Sequence, residues 1–385
     1  MRIGILTFHK VVNYGAFLQA FSLSNKLKKE FPDADVEIID YITNQKSKYY
    51  RVLRNVKHGG IKNAISDLHR IKIFNSAQKF LPLSPKHFRY DKLKDLYSYI
   101  DERYDMLIIG SDAVFNWKQT SFPTAFIPDY KFTIPVFAYA ASVHGLRFYD
   151  ETKDKIEKCG QIFDNFKCIG VRDKCSEDFV KFCNPNVKTM HCCDPTVFID
   201  KEEIYNRGVG VKEKISKKYG LSLDSKYIVI MAPDSKMVEA ISKKYRKDYK
   251  IVSVFVKSSF SDYYIYDLNP FEWAVVLKQS SLVVTSYFHG TLLSLVQSTP
   301  AIVLDYSGYC DNSYESKLRD LMNKRFNLPE LYFDKSEAVD FNSEESFYLL
   351  ADRLLCGEFE EKINVAVKNE EKAMVDFFKV LKSEN

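Results

Sequence analysis

The chain has 385 residues, 46% of them hydrophobic, and a formal net charge of +5. That length exceeds what a single growing core sustains, so two domains are expected, and the apolar fraction excludes a disordered chain. A net charge this small gives no sign of nucleic-acid binding.

The chain opens Met1-Arg2-Ile3-Gly4-Ile5-Leu6-Thr7-Phe8-His9-Lys10, an apolar run too short for a secretory signal and without a small-residue cleavage site. Nothing downstream approaches the roughly 20 apolar residues of a membrane-spanning helix, so a cytoplasmic protein is expected, at most peripheral to a membrane. The first strand is predicted over Ile3 to Phe8, followed by a helix with Ala16, Ala20, Leu23 and Leu27 on one face. A second strand is predicted from Val36 to Tyr41. The segment from Gln45 to Phe80 then carries nine Lys and Arg against one acid, Asp67, and nine minus one gives +8. Its interleaved tyrosines and aliphatics suit an amphipathic insertion resting on anionic lipid or an anionic lipid-linked glycan, a solvated face being the alternative; no nucleic-acid motif accompanies it.

Further strands are predicted at Met106 to Gly110, Ile134 to Ala141 and Cys168 to Val171, the last leading into a helix from Asp173 to Phe182. The lysine-rich stretch Lys201 to Lys226 reads as the crossing between domains. A second series follows, with strands at Tyr227 to Ala232, Lys250 to Val256, Leu282 to Ser286 and Ala301 to Leu304. Helices are predicted near Lys236 to Tyr245, Pro270 to Gln279, Gly290 to Ser298 and Ser313 to Lys324, and a charged helical tail from Ser343 to Lys382 is broken at Gly357. Strands alternating with crossover helices predict parallel sheets. The expected class is α/β and GT-B-like: Rossmann-like domains over 1–200 and 201–342 facing a cleft, and a tail over 343–385 packing back on the first. The eight cysteines show no Cys-x-x-Cys pair and read as reduced structural thiols, so neither a metal nor a cofactor is expected.

Candidate chemistry sits where strands stop. Asn13, Tyr14 and Gly15 occupy the first strand-to-helix turn, where Asn13 either caps the helix or touches a ligand. No Gly-x-Gly-x-x-Gly occurs there. Ser111, Asp112, Asn116 and Trp117 follow the Met106 strand; Asp112 either caps a turn or handles a sugar hydroxyl, with Asn116 and Trp117 completing a carbohydrate surface. Arg172 follows Val171 at another strand end and suits an anion, or else pairs with Asp173 or Asp194. In Ser286-Tyr287-Phe288-His289-Gly290-Thr291 an apolar run stops at an imidazole where a helix should begin, a favoured anion site, an ordinary buried histidine or a helix cap being the alternative. Tyr314, Lys317 and Arg319 open the helix after the next strand, and Lys317 and Arg319 either line the same rim or are solvated.

These pieces together resemble the polysaccharide pyruvyl transferase family, over roughly Arg2 to Leu321. The resemblance rests on Gly4-Ile5-Leu6-Thr7-Phe8 with Asn13-Tyr14-Gly15-Ala16 and Leu18-Gln19-Ala20, and on Gly110-Ser111-Asp112 with Phe115-Asn116. It continues through Tyr139-Ala140-Ala141-Ser142, Val171-Arg172-Asp173, Asp194-Pro195-Thr196, and Ser286 with Phe288-His289-Gly290-Thr291. It implies transfer of a pyruvyl group from phosphoenolpyruvate onto two hydroxyls of one sugar, giving a cyclic ketal on a cell-surface glycan or its lipid-linked precursor. His289 and Arg172 match the family positions expected to contact the donor. On that footing His289 with Gly290 and Thr291 would bind phosphate and donate the proton, Asp112 would hold or deprotonate the acceptor hydroxyl, and Asn13 and Asn116 would assist. The alternatives are a GT-B glycosyltransferase using a nucleotide sugar and a non-catalytic glycan-binding scaffold.

Overall fold

The computed structural model describes residues 1–43, 61–118, 122–307, 315–339 and 344–384. The chain divides into two compact units, Met1–Phe198 with Glu371–Asn385, and Ile199–Glu370. Of the basic segment expected over 45–80, residues 45–60 lie outside the described residues, as does Tyr314.

The first unit is built on seven parallel strands, β1 (Arg2–Leu6), β2 (Asp35–Ile42), β3 (Leu83–Arg89), β4 (Met106–Asp112), β5 (Val136–Ala141), β6 (Phe166–Val171) and β7 (Thr189–His191). Between them run α1 (Tyr14–Glu30), α2 (Ile61–Ala77), α3 (Leu93–Arg103), α4 (Lys153–Phe163) and α5 (Lys174–Cys183). The strand order is β3-β2-β1-β4-β5-β6-β7.

In the second unit α6 (Lys201–Gly208) and α7 (Val211–Tyr219) precede the sheet, so the stretch expected as a loose crossing is helical. Asp200 caps α6 and Gly220, in the left-handed region, ends α7. Six parallel strands follow, β8 (Tyr227–Met231), β9 (Lys250–Val254), β10 (Tyr263–Ile265), β11 (Leu282–Thr285), β12 (Ala301–Leu304) and β13 (Tyr332–Phe333), in the order β10-β9-β8-β11-β12-β13. The helices α8 (Lys236–Tyr245), α9 (Pro270–Gln279) and α10 (Phe288–Val296) alternate with them. The helix expected over Ser313 to Lys324 is instead one short turn, α11 (Lys317–Arg319), continued by a π-helical turn over Asp320–Arg325. After α12 (Lys335–Val339), the tail forms α13 (Glu344–Leu355) and α14 (Glu360–Ser383), with Gly357 at φ 81° between them. The end of α14 lies in the first unit, where Phe377 packs edge-on against Tyr139 of β5 at 5.0 Å.

Both sheets share one logic. The chain starts at a central strand, builds outward on one side, and returns to add strands on the other side of the first, which is the doubly wound order 3-2-1-4-5-6. Helices cover both faces, so β4, β5, β8, β11 and β12 are buried along their whole length. Ligands in such sheets bind beyond the carboxyl ends of the strands where the winding reverses. Those switch points fall between β1 and β4 in the first unit and between β8 and β11 in the second. No helix among the described residues is long and apolar enough to cross a membrane.

Candidate active site

At the first switch point the buried Gln19 of α1 joins three pieces of chain. Its amide nitrogen donates to Thr7 Oγ1 at 3.1 Å, Phe8 O at 3.3 Å and Ala16 O at 2.9 Å, and its Oε1 accepts from the N–H and hydroxyl of Ser111. Thr7 closes the ring by donating to Ser111 O at 3.1 Å. Ser111 therefore fixes the end of β4 and is fully buried, rather than facing a ligand. Gln19→Leu removes the five bonds that Gln19 makes and leaves buried polar partners behind. It is expected to cost about 1–3 kcal/mol, read in urea unfolding.

Just past Ser111, Asp112 adopts φ 78°, a conformation that side-chain-bearing residues hold only when their surroundings impose it. Its carbonyl is gripped by the N–H groups of Val114 at 2.7 Å and Ser142 at 2.9 Å. Arg172, from the end of β6, lies 3.7 Å from Asp112 Oδ1 and donates to Asp194 Oδ2 at 2.8 Å. The Arg172 side chain is only 3% exposed and that of Asp194 2%. Burial works against the guanidinium charge, but Asp194, Asp112 and Asp173 outweigh it and raise the arginine pKa. Of the alternatives open for Arg172, the pairing with Asp194 is the observed contact. Asp173 caps α5 through Ser176 and accepts from Ser142 Oγ at 2.8 Å.

The other residues expected around this turn are engaged within the protein. Asn13 is the cap of α1, its Oδ1 accepting from Gly15 and Ala16 at 3.1 and 3.2 Å. Tyr14 is buried and stacks on Phe74. Asn116 donates to His144 O at 2.6 Å and accepts from Lys118 N at 3.1 Å, which shapes the loop after β4. Trp117, expected on a carbohydrate surface, is instead buried against Phe122 and Phe179, because the aromatic core of this unit extends under the loop.

At the second switch point, Ser286 N–H donates to Met231 O at 3.1 Å and so ties the end of β11 to the end of β8. The helix begins two residues earlier than expected, which places His289 in its first turn. Gly290 is required there: a Cβ would sit 2.7 Å from Thr285 Oγ1 and 3.3 Å from Tyr287 Cβ. Thr291 is buried, its hydroxyl returned to Tyr287 O at 3.1 Å. Helices α1 and α8 are capped by the side chains of Asn13 and Ser235, whereas Tyr287 supplies no side-chain cap to α10 and its first turn has no acid. A helix start without a side-chain cap or an acid favours an anion through its dipole. His289 is buried, edge-on to Phe288 at 5.2 Å, and Lys317 Nζ lies 5.2 Å over the Phe288 ring. Lys317 is placed by Asp305 at the end of β12, which accepts from Ser316, Ser307 and Tyr332. Gln19 enters the sequence reading only within the Leu18-Gln19-Ala20 match and Asp305 not at all, because the partners Ser111 and Tyr332 lie 92 and 27 residues further along the chain.

Two groups of expected residues thus form, each within its own unit: Ser111, Asp112 and Arg172 with Asp194, and Ser286, Phe288, His289, Gly290 and Thr291 with Lys317. Among the described residues, no three His, Cys, Asp or Glu side chains are placed to share a metal ion.

Among solved structures, the fold is similar to UDP-GlcNAc 2-epimerase from Neisseria meningitidis bound to UDP-GlcNAc, with a TM-score of 0.57 at 9% identity over 100% of both chains. It is also similar to UDP-GlcNAc 2-epimerase from Methanocaldococcus jannaschii, with a TM-score of 0.53 at 12% identity over 92% of this chain and 93% of that one. At such identity the likeness shows the fold, which is GT-B. No curated protein matches the chain. The family model for polysaccharide pyruvyl transferase matches residues 13–308, from the Asn13 cap past the His289 helix and through β12. The chain belongs to the polysaccharide pyruvyl transferase family.

Proposed function

We propose that the chain transfers the pyruvyl group of phosphoenolpyruvate onto two hydroxyls of one sugar in a cell-surface polysaccharide or its lipid-linked precursor, forming a cyclic ketal. The observation that carries this reading is the start of α10, where an anion-favouring helix terminus, the His289 imidazole and the Lys317 ammonium gather at a switch point. Phosphoenolpyruvate carries both a phosphate and a carboxylate, which such a site suits.

The reaction needs a proton on the methylene carbon, which generates an oxocarbenium-like centre at C2. One hydroxyl attacks that carbon, the C2–O bond to phosphate breaks, and a second hydroxyl closes the ring. Two hydroxyl protons are lost; one balances the new C–H bond and the other leaves with phosphate. In this scheme the first turn of α10 and Lys317 bind the donor, and His289 gives the carbon its proton. Asp112, held at the end of β4, orients an acceptor hydroxyl. Arg172 acts through Asp112 as a positioning residue, because its side chain is buried and bound to Asp194.

The expected result of incubating the full chain with labelled phosphoenolpyruvate and a glycan acceptor is label in the glycan, with the mass increment of a pyruvate ketal. Transfer from a labelled nucleotide sugar instead, with no ketal formed, would replace this reading with glycosyl transfer. Transfer from neither would point to a glycan-binding scaffold.

A further inference from the structure

Beyond Thr7, the carboxyl ends of β1, β2 and β3 hold a group of side chains that the reaction scheme leaves unused. Three nitrogen bases converge on Asp40 Oδ1: Lys10 Nζ at 2.5 Å, His87 Nδ1 at 3.2 Å and His9 Nε2 at 3.3 Å. Lys10 Nζ and His87 Nδ1 are themselves 3.4 Å apart.

The arrangement is built by the backbone. Pairing between β2 and β3 jumps from Ile38↔Leu83 to Asp40↔His87, so β3 advances four residues while β2 advances two. This irregularity turns His87 onto Asp40, as bulges near sites re-aim side chains. Ser84, inside it, accepts from Asp40 N–H at 2.9 Å. Gln78 in turn donates to His9 O at 2.9 Å and fixes the chain leaving β1.

The excess of basic side chains suits an anion. The other nitrogen of His9 meets Thr7 O at 3.2 Å, so the ring is held between Thr7 and Asp40. One carboxylate here faces the Lys10 ammonium and two imidazoles. Burial pushes the Asp40 carboxyl up in pKa, but His9 and Lys10 outweigh it and hold the group well below its usual range, so its charge stays to anchor them. Exposure is graded, with His9 at 0%, Lys10 at 23% and His87 at 42%. The buried His9 ring thus backs two partly exposed basic nitrogens at the carboxyl edge of the sheet.

We infer that Lys10 and His87, organised by Asp40 and His9, bind a phosphate or diphosphate group carried by the sugar acceptor. This rests on the pyruvyl-transfer reading for the word acceptor, while the anion site itself does not. Inorganic pyrophosphate titrated calorimetrically into the full chain tests the site. Lys10→Met and His87→Leu are each expected to weaken one binding event by about tenfold or more, the loss of a charge-assisted contact. Lys317→Met, in the other unit, should leave that event intact. Unchanged pyrophosphate binding in His87→Leu, with only a lower melting temperature, would reduce the cluster to a structural ion group and overturn the inference. Should Lys10→Met fail to fold, His87→Leu, on an edge strand, still decides the matter. With turnover in hand, the same variants should raise KM for a phosphate-bearing acceptor about tenfold and leave KM for phosphoenolpyruvate unchanged. A rise only with a lipid diphosphate-linked sugar, or only with a soluble sugar phosphate, identifies the source of the phosphate; no rise with either rejects an acceptor role. If no pyruvyl transfer occurs at all, the pyrophosphate titration still reads the site by itself.

Discussion

His289→Gln is expected to lower pyruvyl transfer by about 100-fold or more while the chain remains folded, the usual cost of removing a proton donor or a charge-stabilising group. Glutamine keeps much of the volume of the buried imidazole and its capacity to donate a hydrogen bond, but cannot release a proton to carbon. The two roles proposed for His289 separate in the kinetics. If it is the acid, kcat falls and KM for phosphoenolpyruvate holds; if it only clamps phosphate, KM rises and kcat holds. Gly290→Ala provides an independent handle, because its Cβ would lie 2.7 Å from Thr285 Oγ1 and push the first turn of α10 off the end of β11. That variant should lose phosphoenolpyruvate affinity even though no ionisable group has changed. Full activity in both variants would remove the donor site from α10.

How much of this could be read from the sequence depended on burial. The nine inner strands are legible as apolar runs because helices cover both faces of each sheet. The four that escape notice, β3, β7, β10 and β13, are the outermost strands of their sheets. They are short or half exposed, as edges usually are, and in β3 only Ser84 and Phe88 are buried. The same distinction governs the sites. His289 and Asp112 stand out because an apolar strand ends on them, which is a local signal. The role of Gln19 gives no such local signal, since its partner Ser111 is 92 residues away. His87 could not be found either, because a bulge in an unrecognised edge strand brings it to Asp40. Asn116 and Trp117 follow a strand end as the pattern requires, yet the loop after β4 folds inward and uses their polar and aromatic groups to hold itself. Position past a strand thus nominates a residue, and the loop's own bonding needs decide whether it faces a ligand.

Arg172→Met should be the most destabilising of the substitutions considered, by about 3–5 kcal/mol, because it leaves Asp194 buried without the cation that now neutralises it. The loss belongs to the first unit, and tryptophan fluorescence in urea can follow it, since Trp117 reports on that unit and Trp273 on the other. Arg172→Lys keeps a charge but not the planar fork that spans Asp194 and Asp112, so it should fall between wild type and Met. The double variant Arg172→Met with Asp194→Leu removes both charges and should recover part of the loss, since a buried pair exchanged for apolar groups is often near neutral. Activity then separates the two roles open to this arginine. If Arg172 positions Asp112, the folded Lys variant loses kcat and raises KM for the sugar, with KM for phosphoenolpyruvate held. If the guanidinium instead clamps the donor, KM for phosphoenolpyruvate rises first, and the Asp194 contact becomes the support for that clamp. The 2.8 Å bond to Asp194 and the 3% exposure of the side chain favour the positioning role, because a group so enclosed can present little of itself to a ligand.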